Sequence, residues 1–263
     1  MKQEASIRPV ALVTGSGAPR VGRVIAQQLA EAGYAIAVHA NTHHQQAEQF
    51  AEDLRQQGTT ASALCCDLSD ATAVHGMVAQ VVEQFGRLDV LVNSAAIWHP
   101  TPLEEITVEE LNRYFQTNAI ASFLTARAAG LVMVGQPAGG CVVNIGDWAL
   151  VRPYLDHAAY FPSKGAVEAM TRSLAVELGH RNPAVRVNCV LPGPVLLTDD
   201  VDEERRKAIA ESTLVKRIGT PEEVAHAVKF LVENSFVTGV CLPVDGGRTI
   251  YANDQLQTGL KTG

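Results

Sequence analysis

The sequence predicts an α/β fold in which helices cover both faces of one parallel sheet. Short apolar runs rich in β-branched residues alternate with longer segments of helical periodicity, and the runs are continuously apolar rather than alternating. Alternating strands and helices indicate repeated βαβ units. Continuously apolar strands are typical of a parallel sheet that is buried on both faces. We therefore expect a doubly wound sheet of about seven strands.

The predicted elements follow in order along the chain. The strands are Val10–Thr14, Ala35–His39, Ala61–Cys65, Val90–Asn93, Gly140–Ile145, Val185–Leu191 and Val240–Val244. Two helix starts carry a threonine N-cap with a glutamate three residues later, at Thr107 and at Thr220. From Pro192 to about Leu214 no strand or helix pattern holds, and long irregular segments in compact domains are often lids.

Length and composition indicate one globular domain over residues 1–263, with loose ends at about 1–8 and 253–263. No apolar run reaches the roughly 18 residues of a membrane span, and the N-terminus lacks the apolar core of a signal peptide. The net charge is -7, and Arg205–Lys207 is the one basic cluster. We expect a cytoplasmic protein without a nucleic-acid or membrane partner.

The cysteines predict reduced thiols rather than a metal centre. Their number is odd, four of the five lie in apolar runs, and none has the C-x-x-C spacing of a zinc site. We therefore expect no metal. The cysteines are Cys65, Cys66, Cys141, Cys189 and Cys241.

A glycine-rich turn joins the first strand to the first helix. Glycines let the backbone approach a pyrophosphate, and the free N–H groups and dipole of the helix start favour its negative charge, as in the Rossmann fold. A glycine-rich turn alone also occurs as a plain βα turn. The predicted cofactor contacts in this turn are Gly15, Gly17, Arg20, Val21 and Gly22.

The end of the second strand bears on the choice of nucleotide. An NAD-specific site usually places an acidic residue there, on the ribose 2′-hydroxyl. This chain has Asn41, Thr42, His43 and His44 instead. Together with Arg20, these residues favour NADP(H), although the two histidines also suit a solvated helix start.

Tyr160 and Lys164 form the candidate proton-transfer pair. Residues four apart lie on the same face of a helix. A nearby ammonium stabilises phenolate, so we expect Lys164 to lower the pKa of Tyr160 and make it a usable acid. The alternative is an ordinary pair on a helix surface.

Several motifs in order resemble the short-chain dehydrogenase/reductases over residues 8 to 250. They are the glycine-rich turn, Asn93-Ser94-Ala95, Asn118, Tyr160-x-x-x-Lys164, Pro192-Gly193, Thr238-Gly239 and Val244-Asp245-Gly246-Gly247. The resemblance implies a Rossmann-fold oxidoreductase that forms a homotetramer, with the Val240–Val244 strand at an interface.

The same resemblance implies roles for individual residues. Lys164 also holds the nicotinamide ribose, and Asn118 supports a proton-relay water. The cofactor pocket is further shaped by Asn93, Ser94, Ala95, Pro192 and Gly193, and Asp67 and Leu68 contact the adenine.

Three residues resemble the pteridine reductase branch of that family. Asp147 stands thirteen residues before Tyr160, where the family has its catalytic serine. Arg20 directly precedes Val21-Gly22, and Trp98 lies five residues after Asn93. The branch reduces pterins with an aspartate-tyrosine-lysine set, and an aromatic ring and the nicotinamide sandwich the pterin.

The chain also departs from that branch. The glycine-rich turn is one residue longer than the family's usual spacing, and Ala96 replaces a serine before the aromatic position. The usual basic residue after the second strand is missing. Trp98 also suits the rim of a subunit contact, and Asp147 also suits the cap of a backbone turn.

Three functions remain open. The first is an NADPH-dependent pterin reductase with Asp147, Tyr160, Lys164 and Asn118 as catalytic residues and Trp98, Asp147 and Tyr160 at the substrate. The second is a reductase of simple carbonyls such as 3-oxoacyl thioesters, whose oxyanion an ionised aspartate would repel. The third is a catalytically silent dinucleotide sensor, which would not need the proton relay.

Overall fold

Seven parallel strands form one sheet in the computed structural model, which describes residues 8–197 and 201–252. They are β1 (Val10–Thr14), β2 (Ala35–Ala40), β3 (Ala61–Cys65), β4 (Val90–Asn93), β5 (Gly140–Ile145), β6 (Val185–Pro192) and β7 (Cys241–Val244). Their order across the sheet is β3-β2-β1-β4-β5-β6-β7. The predicted fold is confirmed, and no strand boundary is wrong by more than one residue.

Eight α-helices join the strands in the described part of the chain. They are α1 (Val21–Glu31), α2 (His44–Gln56), α3 (Ala71–Phe85), α4 (Val108–Tyr114), α5 (Ala121–Val134), α6 (Tyr160–Arg181), α7 (Glu203–Glu211) and α8 (Pro221–Glu233). Both predicted threonine caps are present. The Thr107 hydroxyl accepts the Glu110 N–H at 3.2 Å, and the Thr220 N–H donates to the Glu223 carboxylate at 2.9 Å.

Helix α7 corrects the expectation of an irregular segment after Pro192. Asp202 caps it, since its carboxylate accepts the Arg205 N–H at 2.7 Å. None of its residues is buried, so it lacks the apolar periodicity by which a sequence reveals a helix. Residues 198–200 of the predicted lid lie outside the described residues, as do 1–7 and 253–263 of the predicted loose ends.

The core has two layers, one on each face of the sheet. Alternate residues of β1 divide between them: Ala11 and Val13 face the layer of α1, α2 and α8, whereas Val10 and Leu12 face that of α3, α5 and α6. Burying a leucine such as Leu12 contributes about 1.5–3 kcal/mol. The two-sided burial explains why the strands are continuously apolar.

Helices α4 and α5 are continuous through a π-helical segment, Phe115–Ile120. Within the described ranges, this one helix, Val108–Val134, is long and apolar enough to cross a membrane by length and composition, with a mean hydropathy of 1.3. Half of its most apolar window is buried. The sequence analysis overlooked it because charged residues, Arg113 and Arg127, divide the apolar run. Core helices pass the same test.

The cysteines are all free in the described structure, but their burial differs from the prediction. Cys141 and Cys189 are buried, Cys66 and Cys241 are half-buried, and Cys65 is exposed. Cys65 is the last residue of β3, and β3 is an edge strand of the sheet with a neighbour on one side only. No group of three or more metal-ligating side chains lies together in residues 8–197 and 201–252.

Candidate active site

The glycine-rich turn lies at the carboxyl edge of the sheet, where β1 and β4 diverge, which is the usual ligand crevice of a doubly wound sheet. Gly15 has a φ of +70°, and a Cβ there would lie 3.0 Å from Ala95 Cα. A Cβ on Gly22 would lie 2.9 Å from the Ser94 hydroxyl. The turn therefore packs directly on Ser94-Ala95, and glycine is required for that approach.

Thr14 joins the same two loops by hydrogen bonds. Its hydroxyl accepts the Ser94 N–H at 3.0 Å and the Ala95 N–H at 3.1 Å. The structure thus brings together the predicted contacts Gly15, Gly22, Ser94 and Ala95.

His39 binds the glycine-rich turn through its imidazole ring, a role that was not predicted from the sequence. The side chain is 1% exposed. Its Nδ1 accepts the Gly15 N–H at 3.1 Å, and its Nε2 lies 3.0 Å from the Cys66 carbonyl oxygen, to which it donates. Burial lowers the pKa of His39, so the ring is the neutral Nε2–H tautomer.

The N-terminus of α1 is open to an anion. No side chain caps it, and its first turn contains no acidic residue. Gly17, in the turn before this helix, packs against β2 and α2, where a Cβ would lie 3.0 Å from both Ala40 Cβ and Ala47 Cβ. Free helix N–H groups behind a glycine turn fit the pyrophosphate of a dinucleotide.

The residues that the sequence predicts to favour NADP(H) are polar and exposed. Arg20, Asn41, Thr42 and His43 are all exposed, and Thr42 Oγ1 lies 3.2 Å from His43 Nδ1. Arg23, which the sequence analysis missed, bonds to the Gly17 carbonyl and packs over the Phe50 ring. Two arginines therefore flank the turn.

The predicted adenine contacts lie after β3. The Asp67 carboxylate accepts the Ser69 N–H at 2.8 Å, and this bond lowers the pKa of Asp67. Leu68 is buried. The Gln116 amide donates to the Ser69 carbonyl at 2.9 Å and joins this loop to the π-helical segment.

Asp147 and Tyr160 are in direct contact. The Tyr160 hydroxyl donates to Asp147 Oδ2 at 2.7 Å, and Asp147 Oδ1 accepts the Ala149 N–H at 2.8 Å. Asp147 therefore both caps the 3₁₀ turn Trp148–Leu150 and holds the phenol at the first residue of α6. Its free lone pairs leave it able to accept from a substrate as well.

The pKa of Tyr160 runs opposite to the expectation. Burial raises it well above its ordinary value, and the Asp147 charge and hydrogen bond add to this. Burial lowers the pKa of Lys164, whose ammonium donates to the Ile145 carbonyl at 2.8 Å. The prediction that Lys164 lowers the pKa of Tyr160 is wrong for this structure, because Tyr160 is buried against a carboxylate. The phenol is therefore neutral near pH 7.

Asn118 lies in the π-helical segment, a feature that is frequent at functional sites. Its amide oxygen accepts the Ile97 N–H at 2.9 Å, and its amide nitrogen donates at 3.1 Å to the Ile97 carbonyl and to the Ser163 hydroxyl. Asn118 therefore ties the segment before Trp98 to α6. Its relay role stays a prediction.

Asn93 lies behind the pocket at the end of β4. Its amide nitrogen donates to the Ser122 carbonyl at 3.0 Å and to Asn144 Oδ1 at 2.9 Å. Its Oδ1 is buried without a partner in the structure as described. Such an atom costs free energy unless a ligand or water satisfies it, which fits a cofactor pocket.

Trp98 belongs to an aromatic group beside Tyr160. It stacks on His157 with ring centroids 4.7 Å apart, and its indole N–H donates to the Tyr154 hydroxyl at 3.0 Å. His157 in turn meets the Tyr160 ring edge-on at 6.2 Å. The sequence analysis missed Tyr154 and His157, although both lie within six residues of Tyr160.

Pro192-Gly193 meets the predicted terminal motif. The Gly193 N–H donates to the Val244 carbonyl at 2.8 Å. A Cβ at Gly193 would lie 2.5 Å from Asp245 Cα. The glycine therefore permits the ends of β6 and β7 to close beside the pocket.

The sequence of this chain is similar to those of known oxidoreductases. Residues 18–249 match the sequence model of a family described as enoyl-(acyl carrier protein) reductase. The chain is 35% identical over 233 residues to a human 3-oxoacyl-[acyl-carrier-protein] reductase, covering 88% of this chain and 94% of that protein. It is 32% identical to glucose 1-dehydrogenase 2 of Bacillus subtilis (strain 168), covering 92% and 95%.

Solved structures show the same fold. A dehydrogenase/reductase from Sinorhizobium meliloti 1021 superposes with a TM-score of 0.83 at 33% identity, covering 91% of this chain and 94% of that one. A second chain from that organism has a TM-score of 0.84 at 30% identity.

Proposed function

This chain belongs to the short-chain dehydrogenase/reductase family, and we propose that it is a reductase of a C=N or C=O group with Tyr160 as its proton donor. The family is one of oxidoreductases that use nicotinamide dinucleotides. The hydrogen bond from Tyr160 to Asp147 supports the proposal most directly. It places a neutral phenol, the form that donates a proton, beside a carboxylate in the pocket.

We propose NADPH as the cofactor. Arg20 and Arg23 beside the glycine turn, and the absence of an acidic residue at 41–44, support this choice. When bound, the dinucleotide supplies the hydride. The open N-terminus of α1 binds its pyrophosphate.

Tyr160 supplies the proton, and Asp147 orients its hydroxyl. Lys164 is buried beneath the site with its ammonium held by Ile145. Positioned general acids contribute about 100- to 10,000-fold to rate. The role of Asn118 as a relay remains part of the proposal.

The geometry of Asp147 favours a nitrogen-rich ring such as a pterin as the substrate. A carboxylate accepts hydrogen bonds from the ring N–H and amino groups of a pterin. An ionised carboxylate repels the oxyanion that forms when a simple carbonyl is reduced. Trp98 offers a flat face beside Tyr160, and stacking contributes about 0.5–1.5 kcal/mol beyond area burial.

The relatives favour the alternative, a simple carbonyl such as a 3-oxoacyl thioester. The human relative is a 3-oxoacyl-[acyl-carrier-protein] reductase, and the matching family is described as enoyl-(acyl carrier protein) reductase. The comparisons support this alternative better than the pterin interpretation. It requires Asp147 to be protonated or turned away from the carbonyl. A silent sensor has least support, because the relatives named are enzymes.

Substitution of Asp147 separates the two substrate classes. The measurement is kcat/KM for a dihydropterin and for a 3-oxoacyl thioester, with NADPH, in wild type, Asp147→Asn and Asp147→Ser. A pterin reductase should lose its pterin activity in both variants. A carbonyl reductase should keep or gain activity in Asp147→Ser, because a neutral donor suits an oxyanion. Full pterin activity in Asp147→Ser would remove the case for a pterin.

We also propose a cytoplasmic homotetramer. The exposed apolar residues Val108, Leu111, Phe123 and Leu131 on α4 and α5 support an interface, and β7 is an open sheet edge. The free cysteines fit a reducing compartment. Light scattering on the purified protein measures the mass, and a monomer would contradict the proposal.

A further inference from the structure

Two arginines, Arg152 and Arg248, lie near the 3₁₀ turn that Asp147 caps and take no part in the proposed proton transfer. The Arg248 guanidinium packs on the indole of Trp148, 4.4 Å from the ring centroid, and Trp148 directly follows Asp147. Arg152 Nη1 donates to the Arg248 carbonyl at 2.9 Å and to the Tyr251 carbonyl. The two cationic side chains thus lie together next to the 3₁₀ turn that Asp147 caps.

Neither arginine is matched by a carboxylate in the part of the chain that the structure describes. The ion pairs there involve other residues. Asp245, the nearest acidic neighbour in the terminal turn, uses its two oxygens on the Gly247 N–H at 2.9 Å and the Thr249 N–H at 2.6 Å. No hydrogen bond from the Arg248 side chain is present among these residues, so its donors remain available.

The electrostatics of Arg248 agree with an unmatched charge. Burial lowers its pKa most, and the charge of Arg152 lowers it further. Tyr154, Asp245 and Asp147 act in the opposite direction without forming an ion pair. A half-buried cation with a like charge beside it is stabilised by a bound anion.

We propose that Arg152 and Arg248 bind an anionic group of the substrate, a carboxylate or a phosphate, while Asp147 and Tyr160 act on the group being reduced. The proposal rests on the proposed function, since it takes the Asp147 pocket as the substrate site. A guanidinium that packs over an indole keeps its N–H groups free for two parallel hydrogen bonds to such an anion. The pair also offsets the repulsion that Asp147 exerts on an anionic substrate.

The site should therefore distinguish acids from neutral compounds of the same shape. We would titrate the NADP⁺-bound enzyme with two matched pairs by calorimetry: pterin-6-carboxylate with 6-hydroxymethylpterin, and acetoacetate with methyl acetoacetate. We expect the anion of at least one pair to bind about tenfold tighter than its neutral partner, equal to about 1.4 kcal/mol.

Variants assign the preference to the arginines. Arg248→Gln and Arg152→Gln should each remove most of the preference for the acid. The affinity for the acid should fall, and the affinity for the neutral compound should stay unchanged. Arg172→Gln is the matched control, because Arg172 is exposed on α6 and pairs with Glu168. Arg248→Lys keeps the positive charge but loses the paired N–H donors of the guanidinium, so it should retain part of the preference. This variant replaces Arg248→Gln if that protein does not fold.

Competition by inorganic phosphate shows whether the site binds a free anion or only an anionic group that is attached to a ring. If the site binds free anions, phosphate should compete with the acid more strongly than chloride at equal ionic strength. If it needs the group attached to a ring, phosphate should not compete, and the acid preference should persist.

Two results would overturn the inference. One is equal affinity for acid and neutral compound in both wild-type pairs. The other is equal weakening of both members in Arg248→Gln, which would show a structural role. Because binding is measured without turnover, an enzyme that binds the acids selectively but oxidises no NADPH would contradict the proposed function and leave this inference standing.

Discussion

The contacts of His39 allow a prediction of both stability and cofactor binding. His39→Leu keeps a similar volume but leaves the Gly15 N–H and the Cys66 carbonyl without their partner. A buried polar group left unsatisfied costs about 1–3 kcal/mol. Two such groups give an expected loss of about 2–6 kcal/mol in the free energy of unfolding.

The same contact predicts a pH dependence. The pKa of His39 is lowered by burial in the folded protein, so the unfolded chain binds the proton first as the pH falls. The stabilisation is therefore complete above the unfolded value of about 6.5 and is lost as the pH falls below it toward the folded pKa. Protonation would also place an N–H at Nδ1 against the Gly15 N–H.

Urea denaturation between pH 5 and 8 measures both effects, with NADPH titration alongside. His39→Leu should be less stable at pH 8, should lose less stability than wild type on acidification, and should bind NADPH more weakly because the glycine turn is released. His75→Leu, at an exposed position on α3, is the control. A loss below about 0.5 kcal/mol in His39→Leu, the ordinary range of surface substitutions, would refute the assigned bonds.

Three further predictions concern the cofactor, the proton donor and the closure of the site. NADPH should bind at least about tenfold tighter than NADH, and Arg20→Ala should narrow that gap; equal dissociation constants in wild type would contradict it. Tyr160→Phe should bind NADPH almost normally but turn over about 100-fold more slowly or worse, and a variant that keeps half the wild-type rate would exclude Tyr160 as the donor. Gly193→Ala should destabilise the fold by about 1–3 kcal/mol through overpacking, whereas Gly76→Ala, in open space on α3, should be neutral or stabilising in the same thermal melts.

The strands could be predicted because a strand that is buried on both faces of the sheet consists almost entirely of apolar residues. Every residue of β1 and β2 is buried, so the run of apolar letters coincides with the strand. Helix α7 shows the opposite case: it buries no residue, and without an apolar face its periodicity cannot be seen. The starts of the helices at Thr107 and Thr220 could also be predicted, because a capping threonine is a local signal in the sequence.

The candidate residues of the site could be named from the sequence, but their contacts could not. The spacing of Tyr160 and Lys164 on one helix, and the aspartate at position 147, follow from the chain alone. Two features depend on how deeply α6 packs against the sheet. They are the hydrogen bond from Lys164 to the Ile145 carbonyl and the raised pKa of the buried Tyr160. Depth of burial sets the desolvation of a charge, and no local pattern of residues reports it.

Local order along the chain therefore determined the strands, the glycine turn and the identity of the reactive groups, because hydrophobic periodicity and turn chemistry act over a few residues. The tertiary structure alone decided which distant groups meet. His39 lies 24 residues from Gly15 in sequence yet bonds to it, and Arg248 packs on Trp148 although 100 residues separate them in the chain. Such pairs depend on the order of the strands in the sheet and on the packing of the loops at their ends, which are properties of the whole fold.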